Sequence, residues 1–199
     1  MATKTITTPM GIARHPHLNR PDTKFADQNK PDGDYKVILE MSSEDAEPFI
    51  KEIEAMFADF LAAKKAETRK DKLTIATPPW IENDGTVQFK LKVYATWKPD
   101  KDGTKKSRAP KLFAKDGGAT DNIASGTKMQ IAVEPYFWPG AGRPMGTKGC
   151  GITLQPKAVM IHDLVTWGDG GSAQAYGFDV SESAAPEAKT GTDDQEIPW

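Results

Sequence analysis

The chain has 199 residues, 38% of them apolar, and no apolar run approaches the roughly 20 residues that cross a bilayer, so we expect one soluble domain with an appendage. The formal net charge of −2 combines +3 for residues 1–178 with −5 for residues 179–199, where six acidic residues stand against one lysine. Cys150 is the only cysteine, which excludes an intramolecular disulfide, and the N-terminus lacks the apolar stretch of a secretory signal, so we expect a cytoplasmic protein.

The first forty residues predict an irregular strand, a loop and a regular strand. The stretch TKTITTPMGIARHPH alternates weakly and is interrupted by Pro9 and Gly11, which is typical of a bulged edge strand. Residues 18–33 contain two prolines and end in Asp-Gly, so we expect a loop. In the following DYKVILEM, apolar residues at every second position share one face, which predicts a strand. Its apolar face consists of Tyr35, Val37, Leu39 and Met41.

A helix is predicted at about 44–69, where apolar residues recur at spacings of three and four. Ser42 or Ser43 supplies the N-terminal cap. The apolar stripe consists of Phe49, Ile53, Met56, Phe57, Phe60 and Leu61. Because this stripe is narrow and the far end, KKAETRKDK, is charged, we expect the helix to lie across a sheet or barrel end with its last turns in water.

The stretch DGTVQFKLKVYATW predicts a strand whose inward face is apolar and whose outward face carries Lys90, Lys92 and Tyr94. Alternating lysine also keeps solvent-facing strands soluble, so this face is either a binding surface or an ordinary solvated one. APKLFAKDGG predicts a short strand, and ITLQPKAVMIHDLVTWG predicts a long strand bent at Pro156.

Between them, TKMQIAVEPYFWPG predicts a strand with Met129, Ile131 and Val133 inward and a bulge at Pro135. Three consecutive aromatic residues end it, and consecutive residues of an extended chain face both sides, so at least one ring lies outside. The three are Tyr136, Phe137 and Trp138.

Five to six strands with one inserted helix, and glycine and proline at the corners, predict a mainly β protein with an oligonucleotide-binding barrel at 1–178. An open sheet packed on the helix is the alternative. Such barrels stack bases on aromatic rings and bind phosphates with lysine and arginine. The candidate DNA-binding residues are Lys90, Lys92, Tyr94, Lys128, Tyr136, Trp138, Arg143 and Lys148. Trp97 and Phe113 are weaker stacking candidates, because both fall near the inward phase of their strands.

Catalysis is not predicted. His15 and His17 flank a proline and only one other histidine exists, so they do not make a set of metal ligands. GAGRPMG lacks the following helix and the Lys-Ser/Thr pair of a phosphate-binding loop. No serine, histidine and carboxylate set stands out, and Cys150 has no evident base nearby. We therefore expect no enzyme activity, no metal and no cofactor.

The segment 179–199 has no hydrophobic period and is rich in small and acidic residues, which predicts a disordered acidic tail. Such a tail can be a simple solubilising extension. A docking peptide is the alternative, because Pro198 stiffens a short apolar end at Trp199. Its negative charge is attracted to a basic groove from which a strand of phosphates would displace it.

The residues from DGTVQFKLKVYATW through GTKMQIAVEPYFWPGAGRPMGTKGCGITLQPKAVMIHDLVTWGDGG resemble the single-stranded DNA-binding proteins of T7-type bacteriophages. With the strand and helix order at 35–69, the resemblance spans about four fifths of the chain. It implies a non-enzymatic barrel with an inserted helix that coats single-stranded DNA during phage replication and recombination, in the cytoplasm of the infected cell.

In that family the acidic, aromatic-tipped tail docks on replication partners such as polymerase, helicase or primase and competes with DNA for the basic groove. DDQEIPW is similar, although this tail is shorter and less acidic. The resemblance implies docking by Asp193, Asp194, Glu196, Ile197, Pro198 and Trp199. Family members also dimerise, so a homodimer or a cooperative assembly on DNA stays open. From the residues themselves, a protein-binding adaptor and an RNA-binding barrel remain alternatives.

Overall fold

The computed structural model describes residues 4–28, 30–68, 73–96, 105–115, 117–118, 120–139 and 149–166. All of these residues belong to one unit, Met1–Trp167. The predicted tail at 179–199 lies outside the described residues, so its disorder stays a prediction.

Eight strands and one helix follow one another along the described residues. They are β1 (Ile6–Thr7), β2 (Gly11–Asp22), β3 (Asp34–Ser42), α1 (Ser43–Thr68), β4 (Trp80–Asn83), β5 (Thr86–Tyr94), β6 (Lys111–Ala114), β7 (Lys128–Trp138) and β8 (Gly151–Asp163).

Five of these strands close into a barrel. They pair in the order β2, β3, β5, β8 and β7, and β7 pairs with β2 to complete the ring. Within the ring, only the pairing of β5 with β8 is parallel. The short strands β1, β4 and β6 add to β7, β5 and β8. The predicted mainly β oligonucleotide-binding barrel is confirmed, and the closure excludes an open sheet.

The core lies inside this ring, because each barrel strand turns every second side chain inward. In β5 the buried residues are Val87, Phe89, Leu91 and Val93. The predicted inward residues of β7, Met129, Ile131 and Val133, are buried in the same way. Each large side chain removed from water contributes about 1.5–3 kcal/mol, so this alternation fixes which face of every strand is inside.

The helix α1 packs across the barrel, as predicted, through the aromatic residues of its stripe. The Phe49 ring meets the Phe89 ring of β5 edge to face at 5.3 Å between centroids. The rings of Phe57 and Phe60 lie 5.5 Å and 5.6 Å from that of Phe137 in β7. These contacts join the helix to the end of β7, from which two other aromatic side chains project outward.

Two expectations for β2 are wrong. The strand continues through the predicted loop to Asp22, because Leu18 is buried in the core and His17 still pairs with Lys36 of β3. It is also a member of the closed ring and not an edge strand. The predicted irregularity is confirmed, since the register shifts between Arg14 and His17. The prolines of β2 come after the residues that pair with β7, Gly11 and Ile12, so they remove no bond from that pairing.

The predicted bulge at Pro135 is also wrong. Pro135 stays in register with Leu154, and the shift occurs between Ala132 and Val133, where Lys157 is the extra residue of β8. The irregularity therefore lies beside Pro156, where the long strand was expected to bend.

The inward phase expected for Phe113 is wrong too. Its side chain is 49% exposed, and its neighbours Leu112 and Ala114 are the more buried residues of β6. Leu112 and Phe113 are adjacent and both apolar, so the sequence of this four-residue strand does not determine which of them faces inward. In the structure Leu112 is the residue that packs against the core.

The start of α1 depends on Ser42 and not on Ser43. The Ser42 hydroxyl oxygen accepts a hydrogen bond from the Asp45 backbone N–H at 3.1 Å. The Ser43 hydroxyl oxygen is buried and has no hydrogen-bond partner among the described residues. The two neighbouring serines thus form a matched pair with opposite expected effects.

Replacing Ser42 with alanine should lower the free energy of unfolding by about 0.5–2 kcal/mol, because an N-terminal amide of the helix loses its acceptor. Ser43→Ala should leave it unchanged or raise it, because a buried hydroxyl without a partner is removed. Urea denaturation of both variants measures the difference. Equal destabilisation by the two substitutions would contradict this account of the cap.

Candidate nucleic-acid interface

A groove of about 1250 Å³ runs over the outer surface of the barrel. Its floor consists of outward side chains of β5, β8 and the end of β7. Its rims are Gln28 and residues 30–33 between β2 and β3, the segment around Pro79 before β4, and Lys105 and Arg108 before β6. The groove therefore lies where the closed ring presents the polar phase of three strands.

Three aromatic side chains line this groove. Tyr94, the last residue of β5, is 42% exposed, and Tyr136 of β7 is 44% exposed. Trp138, at the end of β7, is half-buried. Between them Phe137 turns the other way, onto α1. The prediction that the consecutive aromatic residues face both sides is confirmed.

The Trp138 indole lies directly over the backbone of Gly151, its partner across the β7–β8 pairing. A Cβ atom at position 151 would lie only 2.1 Å from Cζ2 of the indole. Glycine is therefore required there for close approach, not for an unusual backbone conformation. Gly151, the first residue of β8, thus allows the Trp138 indole to lie at the end of the groove.

The groove is lined by six cationic and two acidic side chains, an excess of four positive charges. The cations are Lys30, Lys90, Lys92, Lys105, Arg108 and Lys157, and the acids are Asp32 and Glu134. Low-dielectric walls lined with one sign of charge raise the local concentration of ligands of the opposite sign. This lining therefore attracts an anion.

Three of the lysines form ion pairs with carboxylates. Lys30 pairs with Asp34 at 2.9 Å, Lys105 with Asp32 at 2.9 Å, and Lys157 with Glu134 at 2.6 Å. By contrast, neither Lys90 nor Lys92 has an ion-pair partner within the part of the chain that the structure describes, and both are exposed on β5. Both lysines therefore add positive charge to the groove that no described carboxylate neutralises.

Asp32 holds two rims of the groove together. Its Oδ2 accepts hydrogen bonds from the Thr96 hydroxyl at 2.6 Å and from the Lys105 ammonium at 2.9 Å. These two bonds, with the charge of Lys105, hold the pKa of Asp32 below its ordinary value. The carboxylate is therefore ionised at neutral pH and ties residues 105–107 to the β2–β3 connection.

Arg108 is held against the floor of the groove. Its Nη2 donates to Oε1 of Gln155 in β8 at 2.5 Å, and its backbone N–H donates to the Ala95 carbonyl at 2.9 Å. Burial lowers its pKa, while Glu134 and Tyr94 act in the opposite direction. An arginine keeps its charge under such a shift, so a positive guanidinium remains on the groove floor.

The structure brings five of the eight sequence-predicted DNA-binding residues together: Lys90, Lys92, Tyr94, Tyr136 and Trp138 line one groove. Lys128 starts the same strand as Tyr136, on the same face, but eight residues or about 27 Å away, beside Asp163 at 3.9 Å. Phe113, although exposed, is not among the lining residues.

The remaining predictions fall outside the described residues. They are Arg143 and Lys148 in the β7–β8 connection, Trp97 after β5, and the docking residues Asp193, Asp194, Glu196, Ile197, Pro198 and Trp199. Their roles stay predictions.

Sequence reasoning missed four cations of the groove: Lys30, Lys105, Arg108 and Lys157. The run TKKSRAP before β6 contains two of them, and its basic composition was a usable signal. Lys30 and Lys157 carried no such signal, since only the ring closure brings the β2–β3 connection and the bulge of β8 to one groove.

Within the described ranges, no group of three or more histidine, cysteine or acidic residues is arranged to hold a metal ion. Among the same residues, α1 lacks the apolar length that a membrane-spanning helix requires.

The closed barrel and its basic, aromatic groove define an oligonucleotide-binding barrel. The family model described as "Single-stranded DNA-binding protein, Bacteriophage T7" matches residues 10–164, more than three quarters of the chain. The chain belongs to this family of phage single-stranded DNA-binding proteins.

Two relatives carry the same description. The single-stranded DNA-binding protein of Enterobacteria phage T3 is 27% identical over 97% of this chain and 90% of its own length. That of Escherichia phage T7 is also 27% identical, over 85% of this chain and 80% of its own. Both therefore align with the domain as a whole.

Solved structures share the fold. The crystal structure of gp2.5, a single-stranded DNA-binding protein encoded by bacteriophage T7, is similar with a TM-score of 0.68 and 25% identity, covering 85% of this chain and 98% of that one. The single-stranded DNA-binding protein from bacteriophage Enc34 in complex with single-stranded DNA has a TM-score of 0.54 at 14% identity, over 82% of this chain and 89% of that one.

Gly151→Ala should lower the free energy of unfolding by about 1–3 kcal/mol, because the new methyl group overlaps the Trp138 indole. In a Trp138→Ala background the same substitution should cost almost nothing. Thermal or urea denaturation of the four proteins gives the coupling free energy. The same cost in both backgrounds would mean that the indole does not occupy this position.

Proposed function

We propose that the protein binds single-stranded DNA with little sequence preference and coats it during phage DNA replication and recombination, without enzyme activity, in the cytoplasm of the infected cell. The observation that carries this proposal is the groove, where Lys90 and Lys92, which form no ion pair with any described residue, alternate with exposed Tyr94 on one strand of the barrel. Membership of the phage single-stranded DNA-binding family supports it.

In this proposal phosphates bind to the cations and bases stack on the rings. Lys90 and Lys92 contact phosphates, Arg108 supplies a fixed charge on the floor, and Tyr94, Tyr136 and Trp138 each offer a ring face. A base stacked on an aromatic side chain contributes about 1–3 kcal/mol whatever the base, which accounts for binding without sequence preference. Arg143 and Lys148 would extend the phosphate contacts into the β7–β8 connection. Lys128 lies too far along β7 to share this groove, and we leave it out of the proposed path.

A protein of the same fold, that of phage Enc34, was solved in complex with single-stranded DNA, which supports a nucleic-acid ligand for this barrel. A protein-binding adaptor would not require a row of lysines beside exposed rings. An RNA-binding barrel would use the same stacking chemistry, so the choice between DNA and RNA is a matter for measurement.

Binding to oligo-dT should weaken as salt increases, with a logarithmic slope of about −0.7 for each phosphate that is neutralised. Lys92→Gln or Lys90→Gln should each reduce the magnitude of this slope by about 0.7. Lys51→Gln is the control, because Lys51 lies on α1, is exposed, and pairs with Glu47 at 2.5 Å. Fluorescence titration at several salt concentrations measures all four slopes.

Failure of the parent protein to bind oligo-dT would reject the proposal and favour the adaptor. Tighter binding to oligo-U of the same length would favour RNA. Equal affinity for duplex DNA would contradict stacking, because paired bases do not expose their faces.

We also propose that the acidic tail at 179–199 occupies the empty groove and is released when DNA binds, so that its end becomes free to dock on replication proteins. The proposed docking residues are Asp193, Asp194, Glu196, Ile197, Pro198 and Trp199. The excess of four positive charges in the groove supports an attraction to a tail with a net charge of −5. A homodimer or a cooperative assembly remains compatible with this arrangement.

Deleting residues 179–199 should raise the affinity for oligo-dT at low salt, because the groove loses an internal competitor, and the gain should shrink at high salt. A tail with Asp193, Asp194 and Glu196 changed to their amides should reproduce part of the gain while keeping Trp199. Affinities of the three proteins at matched salt concentrations provide the measurement. A gain that is independent of salt would contradict an electrostatic competition.

A further inference from the structure

Phe25 is the most exposed large apolar side chain among the described residues, at 64%. It lies in the connection between β2 and β3, a few residues before the part of that connection that forms a rim of the groove. Packing in the core does not explain a phenylalanine at this position, because most of the side chain is in water. Single exposed apolar residues are ordinary on protein surfaces, so the case for a ligand depends on what surrounds this ring.

Two lysines surround the ring of Phe25. The Nζ atoms of Lys24 and Lys36 lie 5.6 Å and 5.9 Å from its centroid, within the range of a cation–π contact. The backbone around it is fixed, since Asp22 Oδ1 accepts from the Lys24 N–H at 2.9 Å and Ala26 donates to the Thr23 carbonyl at 2.9 Å. The ring is therefore held at the surface by a defined turn.

A second, smaller cavity of about 360 Å³ lies beside the groove. It is lined by His15 of β2, Lys36 and Ile38 of β3, and Lys90 and Lys92 of β5. Lys90 and Lys92 also line the groove, so the two cavities adjoin. Lys36 continues the series of cations to the ring of Phe25.

Two lysines of this second cavity repel each other when no anion is bound. Lys36 and Lys92 are direct partners across the β3–β5 pairing, and like charges in that position repel. Asp22 pairs with Lys36 and relieves part of the repulsion, whereas Lys92 has no ion-pair partner among the described residues. A phosphate between the ammonium groups of Lys36 and Lys92 would remove the remaining repulsion.

We propose that Phe25 stacks on a base of single-stranded DNA, with Lys24 and Lys36 on the flanking phosphates, so that the bound strand leaves the groove across Lys92 and ends on the β2–β3 connection. This inference rests on the proposed function and lengthens its DNA path by a second subsite. A base replaces the lysines at the ring at little cost, because an exposed cation–π contact is weaker than a stacked base. The displaced ammonium groups then gain phosphates.

The test compares Phe25→Ala, Phe25→Leu and Phe25→Trp with the parent on oligo-dT of increasing length. The shortest oligonucleotides fill only the groove, so all four proteins should bind them equally. Beyond the length that reaches the connection, Phe25→Ala should bind about 5- to 150-fold more weakly than the parent. Phe25→Trp should keep the full affinity, whereas Phe25→Leu, which is apolar but has no ring, should lose most of it.

Met10→Ala is the control, because Met10 is an exposed apolar residue that lines neither cavity, and thermal denaturation checks that each variant is folded. If the parent binds oligo-dT and Phe25→Ala follows it at every length, this inference is wrong and the proposed function stands. A loss that is the same at every length, or the same for leucine and tryptophan, also contradicts stacking at Phe25. If the parent itself fails to bind, the proposed function is wrong.

Discussion

The closure of the ring through β7 is the constraint on which the rest of the molecule depends. Because β7 pairs with both β2 and β8, every barrel strand has one face inside and one outside, and a side chain's position in the alternation decides its environment. Phe89 and Leu91 are buried for the same reason that Lys90 and Lys92 are exposed. The core and the groove are thus two sides of one pattern.

The groove combines charges that are fixed with charges that are available. Lys105 is tied to Asp32, which shapes the rim, and Arg108 is bonded to the floor through Gln155. The lysines of β5 have no such partners among the described residues. A groove of this kind keeps its shape when empty, and its other lysines can still contact a flexible anion. The main entropic cost of binding is then the ordering of the anion itself. In the proposed complex the exposed rings would add affinity without selecting a base.

Much of the fold could be predicted because β3 and β5 each carry apolar residues at every second position, whereas the apolar residues of α1 recur at spacings of three and four. The prediction failed where local chemistry is ambiguous: the prolines of β2 indicated a loop, yet Leu18 has core contacts that extend the strand. A proline also does not reveal which strand of a pair takes the extra residue, here Lys157. For the site, alternation gave the face of Lys128 but not its distance from the groove, and Lys30 joins it only through the tertiary fold.

The position of β8 in the ring also has a consequence for biosynthesis. This last barrel strand, Gly151–Asp163, pairs with β7 on one side and in parallel with β5 on the other, so it separates two strands that precede it in the chain. Until residue 163 has left the ribosome, no strand lies between β5 and β7 to join them. The apolar faces of the other four barrel strands stay incompletely covered until then. Closure therefore follows synthesis of β8, and until then the exposed apolar faces of the nascent chain favour aggregation.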